Sequence, residues 1–512
     1  MGLPTKVLAA GLVAFGISSA TVNFPFPQKA NYGNGIEVSD KDAAASHLKT
    51  AFNYYYTTLY YENGNYACIR ADPGDNQCFS EGVGYGMLMM VYFSDNTKSY
   101  QGEFDKIWAL YKAAVDADGL MNWKIGNANP NTVWGEHAAT DAEMDVAAAL
   151  IMAAYQFGNE SYLNEAKNLL GKVKNKEFES NGLHKPGNNW NDKKNPSYVA
   201  PAYYRLFAAV DTDNATFWNT TAMNANYTLL EANSNATTTG LFDNWCDASG
   251  NGLDKSYGYD AARTPWRLAQ DFYWFGESRA KTMLNKLGAW VSGKSASSVS
   301  GAISTSGNMG GTHNNTFVST LMSSLVANSS YQEKLDEYWG ESVSTTNSES
   351  NKKYFQKSME ILNGLLVSGN MPNLAAGELD IIIPNPPSSS SQQGGSSGST
   401  QPSSSGSQGT EPQSSGSTQP NPSNGQDANS DQSIEAIGTL AQSTIGLSIH
   451  GRVLHIGGAN TADVSVFDMQ GRPVLALHNV SGNVFMKDIA TGSYIVQIRT
   501  PNANLTRKIS IK

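Results

Sequence analysis

The chain has 512 residues, 40% hydrophobic and 16% charged, and its 45 acidic and 35 basic side chains leave a net charge of −10. That balance supplies a large core and repels phosphate backbones, which argues against a nucleic-acid partner. Three cysteines are too few for a disulfide scaffold, and none forms a zinc-type pair. The 10 tryptophans and 24 tyrosines offer flat faces suited to neutral rings such as sugars, beyond those that core packing uses.

Residues 1–20 read as a secretory signal peptide. Lys6 carries the positive charge, residues 7–17 are apolar, and Ser18-Ser19-Ala20 has the small side chains of a cleavage site. The run is too short to span a bilayer, and no later segment is apolar enough, so an exported protein without a membrane span is expected. Cys68 and Cys78 can pair after export, leaving Cys246 over; buried free thiols are the alternative.

Residues 21–383 form the large unit. Helical periodicity runs through 43–59, 80–93, 101–116, 140–157, 161–174, 200–210, 264–276, 278–292, 315–326, 331–338 and 354–367. Gly/Asn/Asp-rich loops separate these segments, and no strand–helix alternation supports a parallel sheet. An all-α toroid of paired helices, with function carried by loops at one end, is the predicted architecture.

Three acidic motifs stand out. In Ser80-Glu-Gly-Val-Gly-Tyr-Gly-Met, Ser80 is a candidate N-cap. The glycines cost helix stability of about 1 kcal/mol each, which makes sense where side chains must be absent for packing or for a ligand. A partly buried Glu81 there would hold a proton near neutral pH. In Ala139-Thr-Asp-Ala-Glu-Met-Asp-Val, Thr140 or Asp141 caps a helix. Glu143 and Asp145 crowd its start, Asp141 and Asp145 share a face, and the backbone N–H groups should keep Asp141 ionised. In Tyr259-Asp-Ala-Ala-Arg-Thr-Pro-Trp-Arg, Asp260 precedes a helix started by Pro265, and Arg263 is placed to orient Asp260 or neighbouring acids.

Proton-holding and ionised carboxylates beside aromatic surface suggest cleavage of a glycosidic bond, one acid protonating the leaving oxygen and another activating water or attacking directly. No metal-ligand spacing and no phosphate loop occurs, and the single GxSxG string, from Gly394, lies in a low-complexity stretch. No cofactor or metal is expected.

These motifs, together with Asn195-Pro-Ser-Tyr-Val-Ala-Pro-Ala-Tyr-Tyr-Arg, resemble glycoside hydrolase family 8 across about residues 25–380. The resemblance implies an (α/α)6 barrel and an inverting endo-β-1,4-glucanase. By motif, Glu81 matches the proton donor and Asp260 the base that activates water. Asp141 matches an aspartate read here as binding and distorting the sugar. Tyr259, Arg263 and one of Tyr203 or Tyr204 match the surrounding shell, and Trp123 resembles a sugar-stacking tryptophan. The motif usually has Asp where this chain has Glu143. Inversion implies Glu81 and Asp260 facing one another across one trench, with carboxyls roughly 6.5–9.5 Å apart. Xylanase, lichenase or chitosanase activity in the same fold is the alternative, and a non-catalytic polysaccharide-binding surface protein is the rival of another class. The expected partner is the polysaccharide substrate, and the expected state a monomer.

Residues 384–432 are dominated by Ser, Gly, Pro, Gln and Thr and read as a disordered tether. Residues 433–512 carry short β-branched runs with Gly/Asn turns, the pattern of a small antiparallel sandwich. Val464-Ser-Val-Phe-Asp-Met-Gln-Gly-Arg, Gly492-Ser-Tyr-Ile-Val-Gln-Ile and the terminal Lys-Ile-Ser-Ile-Lys resemble the C-terminal sorting domains of bacterial type IX secretion. That resemblance implies a secretion or surface-anchoring partner and a secreted or cell-surface location; a carbohydrate-binding module is the alternative, poorly supplied with aromatic platform because no tryptophan lies beyond residue 339.

Overall fold

The computed structural model describes residues 22–377, 379 and 381 and, toward the C-terminus, 446–450, 453–457, 462–468, 472–480, 483–486, 489–500 and 504–511. The signal-like residues 1–20 and the tether 384–432 with its Gly394 string lie outside the described residues. The chain divides into one unit up to Pro386 and a second from Pro387.

The first unit is built on α1 (Lys41–Tyr54), α2 (Ser80–Phe93), α3 (Gln101–Ala113), α4 (Thr140–Phe157), α5 (Ser161–Glu177), α6 (Pro201–Val210), α7 (Met223–Asn235), α8 (Thr264–Phe275), α9 (Ser278–Ser292), α10 (Asn315–Met322), α11 (Gln332–Thr345) and α12 (Tyr354–Val367). Local chemistry sets many ends. Asp40 caps α1 by accepting from Ala43 N–H (2.9 Å), and Asn314 caps α10 by accepting from Thr316 N–H (3.0 Å). Pro201 and Pro265 start α6 and α8, and Gly158 and Gly276 close α4 and α8 in the left-handed conformation.

The helices sort into two kinds. Odd-numbered ones bury one stripe; α5 buries Tyr162, Ala166, Leu169, Leu170 and Val173, the spacing of an amphipathic surface helix. Even-numbered ones are buried nearly all round, α4 along almost its whole length. The even helices pack in the order α2–α4–α6–α8–α10–α12 and back to α2. That closed inner ring, wrapped by the odd helices, is an (α/α)6 barrel. Gly84 lets α2 lie directly on α4, since a Cβ there would stand 2.7 Å from the Asp145 Cβ; one on Gly86 would stand 2.8 Å from Ile69 Cγ1. Two glycines of this motif therefore serve close packing, Gly84 against a helix and Gly86 against the strand Tyr66–Ile69.

One observed helix, α7, is missing from the predicted set. Its four asparagines (Met-Asn-Ala-Asn-Tyr-Thr-Leu-Leu-Glu-Ala-Asn-Ser-Asn) give it the composition of a loop. The structure buries Asn226 and Asn233 and uses their amides to clamp neighbouring backbone, at Gly182 and Gly250 respectively. Cap expectations also shift. Ala139, not Thr140 or Asp141, precedes α4, with no side-chain cap, and Phe79 rather than Ser80 precedes α2. The Thr140 hydroxyl instead donates to the Lys185 carbonyl (2.7 Å).

Small antiparallel sheets stand between helices. The strand Gln77–Phe79 pairs with Lys124–Gly126, which pairs with Val133–Gly135. A disulfide joins Cys68 to Cys78, and Cys246 is free and buried. Among the described residues no helix is long and apolar enough to cross a membrane.

In the second unit a four-stranded antiparallel sheet runs in the order Pro473–Val480, Ala462–Asp468, Gly492–Arg499, Asn504–Ile511. A three-stranded sheet has the order Asn483–Phe485, Val453–Gly457, Gly446–His450. Val464, Val466, Val496 and Ile498 from the first share a core with Leu454 and Val484 from the second. Alternate residues of Ala462–Asp468 are buried, as a sandwich strand requires.

Candidate active site

Ring closure brings together the N-terminal ends of inner helices that lie far apart in sequence. Glu81 opens α2, Asp141 opens α4, Arg263 immediately precedes α8, Asn314 precedes α10, and Tyr354 opens α12. Such ends carry unpaired backbone N–H groups and positive dipole ends, which favour carboxylates and hydroxyl-rich ligands. A cavity of about 340 Å³ lies there, lined by Glu81, Tyr259, Asp260, Arg263, Tyr354 and Phe355 among others.

Arg263 is the hub. One of its terminal nitrogens, Nη1, donates both to Glu81 Oε1 and to Asp141 Oδ2. The guanidinium is buried, 5.1 Å from the Tyr198 ring centroid and 5.8 Å from that of Phe355. The expected pairing of Arg263 with an acid of the site therefore falls on Glu81 and Asp141. One turn deeper, Arg267 meets Asp145 with two hydrogen bonds (2.6 and 2.7 Å), both residues fully buried. The four-residue spacing of Asp141 and Asp145 on α4 thus matches that of Arg263 and Arg267 around the start of α8, giving two ion pairs between facing helices.

Glu81 accepts from Tyr354 on Oε2 (2.6 Å) and from Tyr85 on Oε1 (3.2 Å). Asp260 sits on an exposed loop. Its backbone carbonyl accepts from the Ser197 hydroxyl, and its Oδ2 accepts from the Trp245 indole N–H (3.1 Å). Tyr259 is 47% exposed, and its hydroxyl accepts from Asn314 Nδ2 (3.1 Å).

Asp141 lies behind Arg263, only 3% exposed, with Oδ1 unpartnered. Burial pushes its carboxyl up to about 7; Arg263 opposes that shift, and the charge of Glu81 adds to it. The N–H groups at the helix start, expected to keep it ionised, do not offset this desolvation. Glu143 turns away from the cavity and accepts from Tyr111 (3.2 Å). Burial, then the charge of Asp141, pushes Glu143 well up; burial, then the charge of Glu143, does the same for fully buried Glu177.

Those two carboxyls tie stability to pH. A buried acid with a raised folded value contributes stability that is fully present below its unfolded value, about 4.3 for Glu, and lost as pH rises through the folded value. Thermal melts of Glu177→Gln should therefore lose less stability than the parent between about pH 5 and pH 8. Parallel curves for the two proteins would show that Glu177 is not held protonated.

Aromatic surface flanks the carboxylates on two sides. On one, Tyr354 stacks on Phe79 (5.5 Å) and Phe79 on Trp123 (5.9 Å). Trp123 is 42% exposed, beyond the residues that line the cavity itself, and its carbonyl accepts from Ser80 N–H (2.9 Å), next to Glu81. On the other, Trp190 packs on Trp245 (4.9 Å). Tyr203 and Tyr204 do not reach the cavity. Both are fully buried in α6, Tyr203 under Arg267 and Tyr204 against Phe178 and Trp218. The inner helix turns Tyr203 toward the ring interior and Tyr204 toward the outer helices, and the tyrosine of that motif beside the site is Tyr198, in the short turn before α6. Tyr198, Trp190, Trp245 and Tyr354 were not singled out in the sequence; the tryptophans had one usable signal, large aromatics in otherwise polar loops.

Comparison with known proteins is consistent with this geometry. Residues 24–369 match the family model of Glycosyl hydrolases family 8, and residues 442–512 match that of the Secretion system C-terminal sorting domain. Endoglucanase 2 of Ruminiclostridium josui is 32% identical over 379 residues, covering 70% of this chain and 79% of that protein. Endoglucanase A of Acetivibrio thermocellus is 31% identical over 373 residues, covering 70% and 76%. The apo structure of a beta-1,3-1,4-glucanase from Paenibacillus sp. X4 superposes with a TM-score of 0.63 at 24% identity, covering 68% of this chain and 98% of that one.

Proposed function

From the premise that the chain belongs to glycoside hydrolase family 8, we propose that it is a secreted endo-β-1,4-glucanase that cleaves with inversion, Glu81 acting as general acid and Asp260 as general base. The observation that carries this reading is the placement of both carboxylates on the wall of one open cavity.

Inversion protonates the leaving oxygen on one side of the sugar while a water attacks the anomeric carbon from the other. Glu81 Oε1 is occupied by Arg263 and Tyr85, whereas Oε2 accepts only from Tyr354, so Oε2 is the oxygen with room for the transferable proton. Asp260 Oδ2 is occupied by Trp245, and Oδ1 takes the proton of the attacking water. Asp141, buried behind Arg263 and outside the cavity lining, acts on the sugar at the cleavage point through that arginine, which it fixes with Oδ2, rather than by direct contact. Trp123 and Tyr259 supply stacking faces for rings along the trench.

The sorting-domain match supports export to the medium or the cell surface through a secretion system. The Cys68–Cys78 bond fits an oxidising compartment. We assign 1–20 to the signal peptide, 21–383 to the catalytic domain, 384–432 to the tether and 433–512 to the sorting domain.

The test is hydrolysis of carboxymethylcellulose, lichenan, xylan and chitosan side by side, with the first-formed anomer read by NMR. Fastest cleavage of the β-1,4-glucan with the α-anomer appearing first is expected. A β-anomer first would overturn inversion, faster turnover of another polymer would overturn the substrate, and no reducing sugar from any would overturn the enzymatic reading.

A further inference from the structure

The acid and the base are supported by different kinds of donor. Glu81 is tied to a cationic guanidinium. Asp260 receives a neutral indole N–H from Trp245 (3.1 Å). Trp245 itself is locked in place. Lys193 sits 4.0 Å from its ring centroid, Trp190 packs on one side, and Tyr198 meets it edge-on at 6.4 Å. The next residue, Cys246, exchanges two backbone hydrogen bonds with Lys194 (2.8 and 2.9 Å).

Resting on the assignment of Asp260 as base, we propose that Trp245 is the positioning residue for it: the indole N–H holds Oδ2 and so aims Oδ1 at the water. Asp260 needs such a device because it stands on an exposed loop outside any helix, where its side chain would otherwise sample several rotamers. The donor type also suits the task. An indole N–H donates but neither accepts nor titrates, so it cannot compete for the proton that Asp260 removes, and it brings no full positive charge that would weaken the base. The loop's backbone is pinned independently, since Asn244 Oδ1 accepts from the N–H groups of Gly258 (2.7 Å) and Ala261 (3.2 Å), and the Ser197 hydroxyl holds the Asp260 carbonyl. Trp245 therefore controls the carboxyl group and not the fold of the loop.

Trp245→Phe keeps an aromatic ring against Trp190 and deletes the donor. Misplacing a reacting group by about 1 Å costs on the order of 10²-fold. A fall in kcat of about 10–100-fold is expected, with KM on cello-oligosaccharides within about twofold. The loss should persist on a β-cello-oligosaccharyl fluoride, whose leaving group needs no proton, whereas the loss in Glu81→Gln should largely disappear there. Replacing Trp245 by 3-benzothienylalanine, which has the indole's shape with sulfur for N–H, should reproduce the fall and decides the matter if the Phe variant folds poorly. In an Asp260→Asn background the Phe change should cost nothing further. Unchanged kcat, or a loss confined to KM, would overturn the proposal and leave Trp245 as a stacking surface. Full activity in Asp260→Asn would instead remove the base assignment itself, so the two failures are distinguishable.

Discussion

Glu81→Gln and Asp260→Asn are each expected to lose at least about 10²–10⁴-fold in kcat while the melting temperature stays near that of the parent. Both changes are isosteric and remove only the capacity to give or take a proton. In Glu81→Gln the amide keeps an oxygen that accepts from Arg263 and sets its NH2 beside Tyr354, and in Asp260→Asn the amide keeps an oxygen that accepts the Trp245 N–H. The two variants are separable by substrate. A β-glycosyl fluoride should restore turnover by Glu81→Gln, because fluoride leaves without protonation, and should not restore Asp260→Asn, because water must still be activated. Full activity of either variant on cellulose derivatives would reject the role given to that residue.

Arg263→Met carries the second-largest expected effect, on stability as well as on rate. The guanidinium is 3% exposed, and its Nη1 serves both Glu81 and Asp141. Taking one partner from a buried ion pair typically costs about 3–5 kcal/mol, because the remaining charge is stranded. Here two carboxylates are stranded together, and Asp141, already pushed up to about 7, loses the charge that opposes its protonation. Denaturant unfolding near neutral pH should show that loss, and activity should vanish with it. Adding Asp141→Asn should recover stability chiefly above pH 7, where Asp141 would otherwise ionise without its partner, and none of the activity, since Glu81 still lacks its guanidinium. An Arg263→Met protein as stable as the parent would mean that the ion triad contributes nothing to the fold.

Much of the helical architecture was legible in the chain. The segments 80–93, 140–157, 278–292 and 354–367 coincide with α2, α4, α9 and α12, because apolar periodicity is a local property of the backbone. The same locality hid α7, whose asparagines resemble a loop until Asn226 and Asn233 are seen bonded inside the protein. The three acidic motifs were visible as anomalies, too many carboxylates or glycines for capping alone. Their division of labour was not visible. Asp141, Glu143 and Asp145 look alike in sequence, yet one meets Arg263, one meets Tyr111 and one meets Arg267.

Composition and spacing were therefore enough to specify helices, an acidic active-site candidate and a β-rich C-terminal unit, since each depends on residues within a few positions of one another. Which side chains meet depended on closure of the inner ring, which sets α2 beside α12 and α4 and brings the start of α8 to both acids. Closure buried Tyr203 and Tyr204, set Tyr198 against Arg263, and delivered Arg263 and Tyr354 to Glu81 from helix starts far away in the chain. The physical reason is that desolvation and hydrogen-bond partnership are set by neighbours in space, and no periodicity along a chain encodes the contacts of position 81 with positions as distant as 263 and 354.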